Sequence, residues 1–191
     1  MRILILGGYG LIGMGLVRRL SRSGHEIVGL GRNPKKGERI FPRAEWIAAD
    51  ISSLITPEAW APYLEGVDAV INAAGALQDG ARDSLSDIHE RSIKALIKAC
   101  ESGGSQKFIQ ISAPGASATS STAFYRTKAA ADAALKESAL AWLVLRPGVV
   151  IAPAAYGGTA LLRALAAFPL VQLLGRDDLK LRPVDILNYR G

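Results

Sequence analysis

Cysteine, histidine and long apolar runs are all scarce in this sequence of 191 residues. The single cysteine, Cys100, excludes a disulfide framework and fits a reducing compartment, so we expect a cytoplasmic protein. The two histidines and one cysteine show no ligand spacing, and we predict no metal site. The run Ile3–Leu6 is too short for a secretory signal. The stretch nearest to a membrane span, residues 147–162, is broken by a proline and two glycines.

The composition is that of a globular chain, with 49% hydrophobic and 21% charged residues. Its length suits one domain with a substantial buried core. The net charge is +6, but the Lys and Arg residues are scattered and no aromatic residues are interleaved with them. We therefore expect no nucleic-acid partner, while part of the positive charge is available to an anionic cofactor.

The rest of the chain is organised around residues 3–13, which read ILILGGYGLIG. An apolar run of strand character breaks at a glycine turn, and helical periodicity follows at once. Gly7 permits the tight turn, Gly10 lets the backbone approach a pyrophosphate, and Gly13 lets the helix pack closely. The helix N-terminus offers N–H groups to the anion. The alternative is a structural turn with incidental glycines. The candidate cofactor-binding residues here are Gly7, Tyr9, Gly10, Leu11, Ile12 and Gly13.

Strands and helices alternate along the remaining sequence. Five further apolar runs are typical of strands, at residues 25–30, 44–49, 67–72, 107–112 and 142–146. Helical patterns between them cover residues 56–66, 84–101 and 121–138. Because these strands are continuous apolar runs, we expect them to be buried on both faces. The sequence thus predicts an α/β, doubly wound parallel-sheet Rossmann fold, with a ligand at the carboxyl ends of the strands.

The end of the second strand bears on coenzyme choice. A chain selecting NAD normally carries a carboxylate there for the ribose 2′-hydroxyl, but residues 29–33 read GLGRN. Arg32 instead offers a guanidinium suited to a 2′-phosphate, and Lys35 and Lys36 add positive charge. These residues favour NADP, with NAD as the alternative. The alternative interpretation of Arg32 is that it is a solvated turn residue with no cofactor contact.

Two further strand ends supply candidate cofactor contacts. Asp50 follows the third strand, where its carboxylate can accept from an adenine amino group beside the Ile51 backbone; a helix-capping role is the alternative. The fourth strand ends in small residues that let the backbone approach the cofactor ribose, and Asn72 can tie neighbouring strands together. The candidate wall residues are Ala73, Ala74 and Gly75.

Six motifs in this order, GGYGLIG, AADI, NAAG, ISA, YRTK and LRPG, resemble those of the short-chain dehydrogenase/reductase superfamily. The glycine spacing is similar to that of its extended and atypical branches, and to proteins related to the complex I accessory subunit and to NmrA-like NADP-binding proteins. The resemblance covers about residues 1–153. It implies an NAD(P)-binding Rossmann domain, and it implies no particular reaction.

The superfamily's catalytic signature is a Tyr four positions before a Lys, assisted by a Ser. The resemblance implies that Lys128 binds the cofactor ribose, but Phe124 stands four positions before it. Tyr125 lies one residue later, which turns its side chain by about 100° around the helix. Ser112 ends the fifth strand, although the superfamily's serine maps nearer to Ala113. The candidate catalytic residues are therefore Tyr125, Lys128 and Ser112. Of these, Tyr125 and Ser112, which would transfer the proton and orient the substrate, are each one position away from the superfamily's pattern.

The resemblance also implies that Pro147, Gly148 and Val149 pass the nicotinamide. Extended members carry a substrate-binding subdomain after this point, and too few residues follow to build one. We expect a single domain with a truncated or minimal C-terminal substrate region. Its predicted limits are residues 1–155 for the NAD(P)-binding domain and 156–191 for a C-terminal helix and tail.

Together these features predict an NADP(H)-preferring, oxidoreductase-like protein acting on an unknown small molecule. The alternative is a non-catalytic dinucleotide-binding sensor or a respiratory-complex-type assembly protein, so catalysis stays open. The resemblance implies that helices over residues 84–101 and 121–138 often pair subunits, which leaves a homodimer open, with core packing of their apolar faces as the alternative. The apolar stretch 147–175 leaves membrane contact open.

Overall fold

The computed structural model describes residues 1–80, 84–104, 107–148, 150–151 and 184–185. Six parallel strands form its sheet, in the order β3-β2-β1-β4-β5-β6. This is the order of the doubly wound Rossmann sheet, and the predicted fold class is confirmed. The strands are β1 (Arg2–Leu6), β2 (Glu26–Gly31), β3 (Glu45–Ala48), β4 (Ala69–Asn72), β5 (Lys107–Ile111) and β6 (Ala141–Leu145).

Five helices connect these strands. They are α1 (Leu11–Arg22), α2 (Pro34–Ile40), α3 (Pro57–Leu64), α4 (Ser92–Gly103) and α5 (Ala123–Lys136). One π-helical turn, Asp87–Arg91, leads into α4, and a short 3-10 turn, Ile51–Ser53, follows β3. Thr56 accepts a hydrogen bond from the Ala59 N–H and Pro57 occupies the first helical position, as the sequence predicts for the start of α3.

The core lies on both faces of the sheet, because β1 sends alternate side chains to opposite sides. Leu4 and Leu6 face the layer formed by α3 and α4, where Trp60 is fully buried. Ile3 and Ile5 face the layer that includes α1. Burial of β1 on both faces places its carboxyl end, and the glycine turn that follows, at the centre of the molecule.

Helix α2 was not predicted, because residues 34–40 (PKKGERI) carry no apolar stripe. Tertiary packing forms this helix instead. The Trp46 indole of β3 lies where a Cβ on Gly29 or Gly37 would stand, 2.3 Å from either position. Its Nε1 donates to the Phe41 carbonyl at 2.9 Å. Two glycines on different elements therefore let one indole fasten α2 to the sheet.

The expectation that every strand is buried on both faces was wrong for β6. This strand lies at the edge of the sheet, and its Trp142, Leu143 and Leu145 are exposed among the described residues. An edge strand pairs on one side only, so an apolar sequence does not guarantee burial.

A separate short pair, β7 (Val150–Ile151) and β8 (Val184–Asp185), runs parallel. Most of the predicted C-terminal unit, residues 156–191, lies outside the described residues, as does the predicted boundary near residue 155. Across the described ranges, no helix combines the length and apolarity needed to cross a membrane. Within them, too, no group of three His, Cys, Asp or Glu side chains could hold a metal ion.

Candidate functional site

A cavity of about 390 Å³ opens at the carboxyl ends of β1, β2 and β4. The structure brings nine of the predicted cofactor residues together in its lining: Gly7, Tyr9, Gly10, Arg32, Asp50, Ile51, Ala73, Ala74 and Gly75. Leu30, Gly31 and Ile88 also line it. Leu11, Ile12 and Gly13 form the first turn of α1, directly behind the glycine turn.

The glycine turn is shaped by close backbone contacts. Gly7 has φ +69°, and a Cβ there would stand 2.9 Å from the Ala74 Cα of the opposite wall. At Gly13 a Cβ would approach the Gly7 carbonyl oxygen to 2.2 Å. The Gly10 N–H donates to that same oxygen at 2.8 Å. Side chains at Gly7 and Gly13 would therefore fill the turn or push α1 away from it.

The N-terminus of α1 is suited to an anion. Among the described side chains none caps this helix, and its first turn contains no acidic residue. Gly10 is the N-cap residue and contributes no Cβ to the cavity side. The unpaired N–H groups and the positive end of the helix dipole are therefore available to a phosphate, and these residues fit the pyrophosphate of a dinucleotide.

The strand ends on either side have structural contacts of their own. Asp50 lines the cavity and also caps the turn after β3, where its Oδ1 accepts from the N–H of Ser52 at 3.1 Å. Asn72 donates to Gln110 at 2.9 Å and accepts from the Ala74 N–H at 3.1 Å. Asn72 thus ties β4 to β5 and orients the Ala73–Gly75 wall.

Lys128 is buried behind that wall. Its ammonium group donates to the Ala74 carbonyl at 3.3 Å and to the Ile111 carbonyl at 3.1 Å. Burial lowers the pKa of Lys128 to about 8, and the Asp132 carboxylate partly offsets this effect. Lys128 therefore joins α5 to the carboxyl ends of β4 and β5 from beneath the cavity.

His89, on the π-helical turn, is fastened to the same wall. Its Nε2 accepts from the Ala76 N–H at 3.0 Å, and its Nδ1 lies 3.2 Å from the Thr127 hydroxyl. Since Nε2 accepts, Nδ1 carries the proton and donates to Thr127. Burial, followed by the positive charge of Lys128, lowers the pKa of His89 to about 3. The imidazole is therefore neutral at physiological pH and a weak base, and its contacts join the π-helical turn to the Ala76 backbone and to α5.

The candidate proton donors, Tyr125 and Ser112, lie outside the cavity lining, as does Phe124. Phe124 stacks edge-to-face on His89 with ring centres 5.5 Å apart, on the side of α5 that carries Lys128. Tyr125 packs beside Phe124, near Gly115. Neither aromatic ring lines the cavity, and neither does Ser112.

Ser112 belongs to a buried polar cluster on the far side of β5. Its hydroxyl donates to Asp132 Oδ2 at 2.7 Å, and the Arg146 guanidinium contacts the same oxygen at 2.8 Å. Pro147 and Gly148 follow this cluster, outside the cavity lining, and Val149 lies outside the described residues. Sequence reasoning missed Asp132, because its partners are 20 and 14 positions away and no local pattern relates them.

Comparisons with known proteins agree with this geometry. Residues 7–166 match the family described as NAD(P)H-binding. The photosystem II assembly factor Ycf39 of Synechocystis is 35% identical over 112 residues, covering 57% of this chain and 32% of that protein. A mitochondrial NADH dehydrogenase [ubiquinone] 1 alpha subcomplex subunit 9 of Arabidopsis thaliana is 28% identical over 156 residues, covering 77% and 38%.

Among solved structures, the fold is similar to that of the Bordetella bronchiseptica enzyme WbmG in complex with NAD. The TM-score is 0.70 at 20% identity, covering 87% of this chain and 60% of that chain. The chain thus spans about a third to two fifths of the length of the two curated relatives.

Proposed function

This chain belongs to the NAD(P)H-binding family, and from that premise we propose that it holds NADP(H) in the cavity without tyrosine-assisted turnover. One observation carries the proposal: nine of the predicted cofactor residues line one cavity, while Phe124 occupies the helix face that carries Lys128. A phenyl ring has no proton to give to a substrate oxygen. A nicotinamide dinucleotide, when bound, supplies hydride-transfer chemistry.

The residues at the rim support NADP over NAD. Arg32 lines the cavity, directly after the last residue of β2. That last residue is Gly31, so the strand ends without the carboxylate that a ribose 2′-hydroxyl would need. A guanidinium at this place can pair with a 2′-phosphate through two N–H donors.

The names of two relatives support a binding role. One is described as a photosystem II assembly factor and the other as a subunit of an NADH dehydrogenase. In this role the bound dinucleotide stabilises a structural or sensing module, and any partner is a protein of such an assembly.

The second candidate is an NADP(H)-dependent oxidoreductase acting on a small molecule. Lys128 favours it, because an ammonium group beneath the cofactor wall can support the ribose without help from a tyrosine. Turnover would then depend on holding the reactants in position rather than on proton transfer by Tyr125.

Binding titrations test the coenzyme choice. We expect NADPH to bind more tightly than NADH, and Arg32→Ala to remove about tenfold of that preference, the worth of a charge-assisted hydrogen bond. Arg39→Ala is the matched control, because Arg39 is exposed on α2 and does not line the cavity. Equal affinities that Arg32→Ala leaves unchanged would refute the NADP preference.

Turnover assays separate the two candidates. NADPH oxidation is followed with a panel of carbonyls and quinones, using the wild type and Tyr125→Phe. The binding role predicts no turnover above background in either protein. Turnover in the wild type that Tyr125→Phe abolishes would overturn it.

The cytoplasm is the location we propose, and Cys100 supports a reducing compartment. The thiol is buried in α4, and burial, then the neighbouring Glu101 carboxylate, raises its pKa to about 12. It is therefore neither a ready nucleophile nor a metal ligand.

A further inference from the structure

Tyr9 connects the glycine turn to the segment that follows β2. Its hydroxyl accepts a hydrogen bond from the Asn33 N–H at 3.0 Å. Asn33 is in turn the N-cap residue of α2, where its side chain accepts from the Lys36 N–H. The Lys36 ammonium lies 5.6 Å from the centre of the Tyr9 ring. One side chain between two glycines therefore contacts both the start of α2 and its first cationic turn.

The Tyr9 ring also occupies the space beside the end of β2. A Cβ on Gly31 would stand 2.6 Å from Cε1 of that ring and 2.9 Å from its hydroxyl oxygen. A side chain at position 31 would have to displace the ring and break its bond to Asn33. The ring and a side chain at position 31, including a carboxylate, therefore compete for the same space at the end of the strand.

Arg32 lies between these two contacts. Gly31 before it packs under the Tyr9 ring, and Asn33 after it is bonded to the Tyr9 hydroxyl. The backbone on both sides of Arg32 is therefore held by Tyr9, while the Arg32 residue lines the cavity. A guanidinium gains most from a fixed backbone, because its paired N–H donors must match two acceptor oxygens at once.

We propose that Tyr9 is a positioning residue for coenzyme selection: it excludes a carboxylate from the end of β2 and holds Arg32 at the 2′-phosphate of NADP(H). This inference rests on the NADP preference proposed above. The ligand feature that Tyr9 governs is the 2′-phosphate alone. Its removal should therefore affect coenzymes that carry this group and spare those that lack it.

Tyr9→Phe tests the hydroxyl while keeping the ring. Affinities for NADPH, NADH, 2′,5′-ADP and 5′-AMP are measured by calorimetry. We expect Tyr9→Phe to weaken the binding of NADPH and 2′,5′-ADP about fivefold more than that of NADH and 5′-AMP, the net worth of one hydrogen bond. Tyr63→Phe is the matched control, because Tyr63 packs on Trp60 in α3 and does not line the cavity.

A cycle with Arg32→Ala tests whether Tyr9 acts through that residue. In the Arg32→Ala background, Tyr9→Phe is expected to cause no further loss of NADPH affinity. Equal weakening of NADPH and NADH, or an undiminished effect without Arg32, would assign Tyr9 a merely structural role and overturn the inference. A wild type without NADPH preference would refute the proposed preference, and this inference with it. A preference that Tyr9→Phe leaves intact would overturn this inference alone.

The excluded carboxylate gives a second readout. Gly31→Asp with Tyr9 present forces the new side chain against the ring, so we expect both coenzymes to bind more weakly. In the double variant Gly31→Asp with Tyr9→Ala the carboxylate has room, and we expect the coenzyme preference to shift toward NADH. Circular dichroism and thermal unfolding show whether each variant is folded. If Gly31→Asp binds NADH equally well with and without the Tyr9 ring, the ring excludes nothing and the inference fails.

Discussion

The ammonium group of Lys128 is buried near the carboxyl ends of β4 and β5, where burial makes its positive charge unfavourable. It is 5% exposed, and its described hydrogen-bond partners are the carbonyl oxygens of Ala74 and Ile111. Burial in an apolar setting favours the uncharged amine, whereas the Asp132 carboxylate favours the ammonium. Burial dominates, so the folded chain holds this proton less tightly than the unfolded chain does.

The stability of the fold should therefore depend on pH through this lysine. Its pKa is about 8 in the folded chain, against 10.5 for a fully solvated lysine, so the unfolded chain binds more protons between these values. The free energy of unfolding rises with pH across that window, by on the order of 3 kcal/mol at about 1.4 kcal/mol per pKa unit. The penalty is fully present below pH 8.

Urea unfolding of Lys128→Met between neutral pH and pH 10.5 measures this contribution. The variant is expected to lose the rise that the wild type shows, because it has no proton to release. Lys136→Met, at an exposed position of the same helix, should keep it. A rise of equal size in Lys128→Met would mean that other groups cause it.

At the scale of elements, α1 and the glycine turn form one packed unit. The Gly7 carbonyl oxygen accepts from the Gly10 N–H and also fills the space that a Gly13 side chain would need. Backbone atoms are in contact on both sides, and neither can rotate away as a side chain would. The distance between α1 and the end of β1 is therefore set by the missing Cβ of Gly13.

Gly13→Ala should destabilise the fold by about 1–3 kcal/mol, the usual cost of overpacking, because the new methyl group meets the Gly7 oxygen. It should also weaken coenzyme binding, since α1 would move relative to the turn. Gly103→Ala is the control, because a Cβ at that end of α4 meets no atom of the described residues within 4 Å. Urea denaturation checks both variants; equal effects would show that the close contact at Gly13 has no special cost.

The first strand, the turn and α1 could be predicted because their signals are local: an apolar run, spaced glycines and helical periodicity follow one another within a few residues. Helix α2 could not be predicted, because its stability comes from Trp46 packing on Gly37. Exposed β6 was misjudged because strand composition does not report position in the sheet. The same division holds within the site. Arg32 could be singled out from sequence because it comes directly after a strand. The contact of Tyr9 with Asn33 could not, because it joins residues 24 positions apart.

At the scale of the whole molecule, the two ends of the sheet differ in what they stabilise. The carboxyl ends of the strands carry the cavity. At the amino ends, the Arg2 guanidinium joins Glu26 of β2 at 2.9 Å and Glu45 of β3 at 2.7 Å. The backbone N–H of Arg2 also donates to the carboxylate of Asp68, just before β4, at 2.7 Å. Arg2 of β1 thus connects with β2, β3 and the residue that precedes β4, at the end of the sheet remote from the cavity.

Arg2→Met should therefore affect stability and spare coenzyme affinity. Because the Arg2, Glu26 and Glu45 side chains are partly exposed, we expect the free energy of unfolding to fall by at most about 1 kcal/mol, and by less at high salt. Thermal unfolding at two salt concentrations measures the loss, and an NADPH titration measures the affinity. A fall in affinity as large as the one caused by Arg32→Ala would contradict this separation of the two ends.

The position of Trp46 also gives the molecule an optical property. Its ring centre lies 6.3 Å from that of Tyr9, which lines the cavity. The chain has three tryptophans: Trp60 is fully buried and Trp142 is exposed, so the three indoles emit from different surroundings. Because only the Tyr9 ring separates Trp46 from the cavity, we expect a coenzyme bound there to change the emission of this indole, so that intrinsic fluorescence can follow occupancy of the cavity.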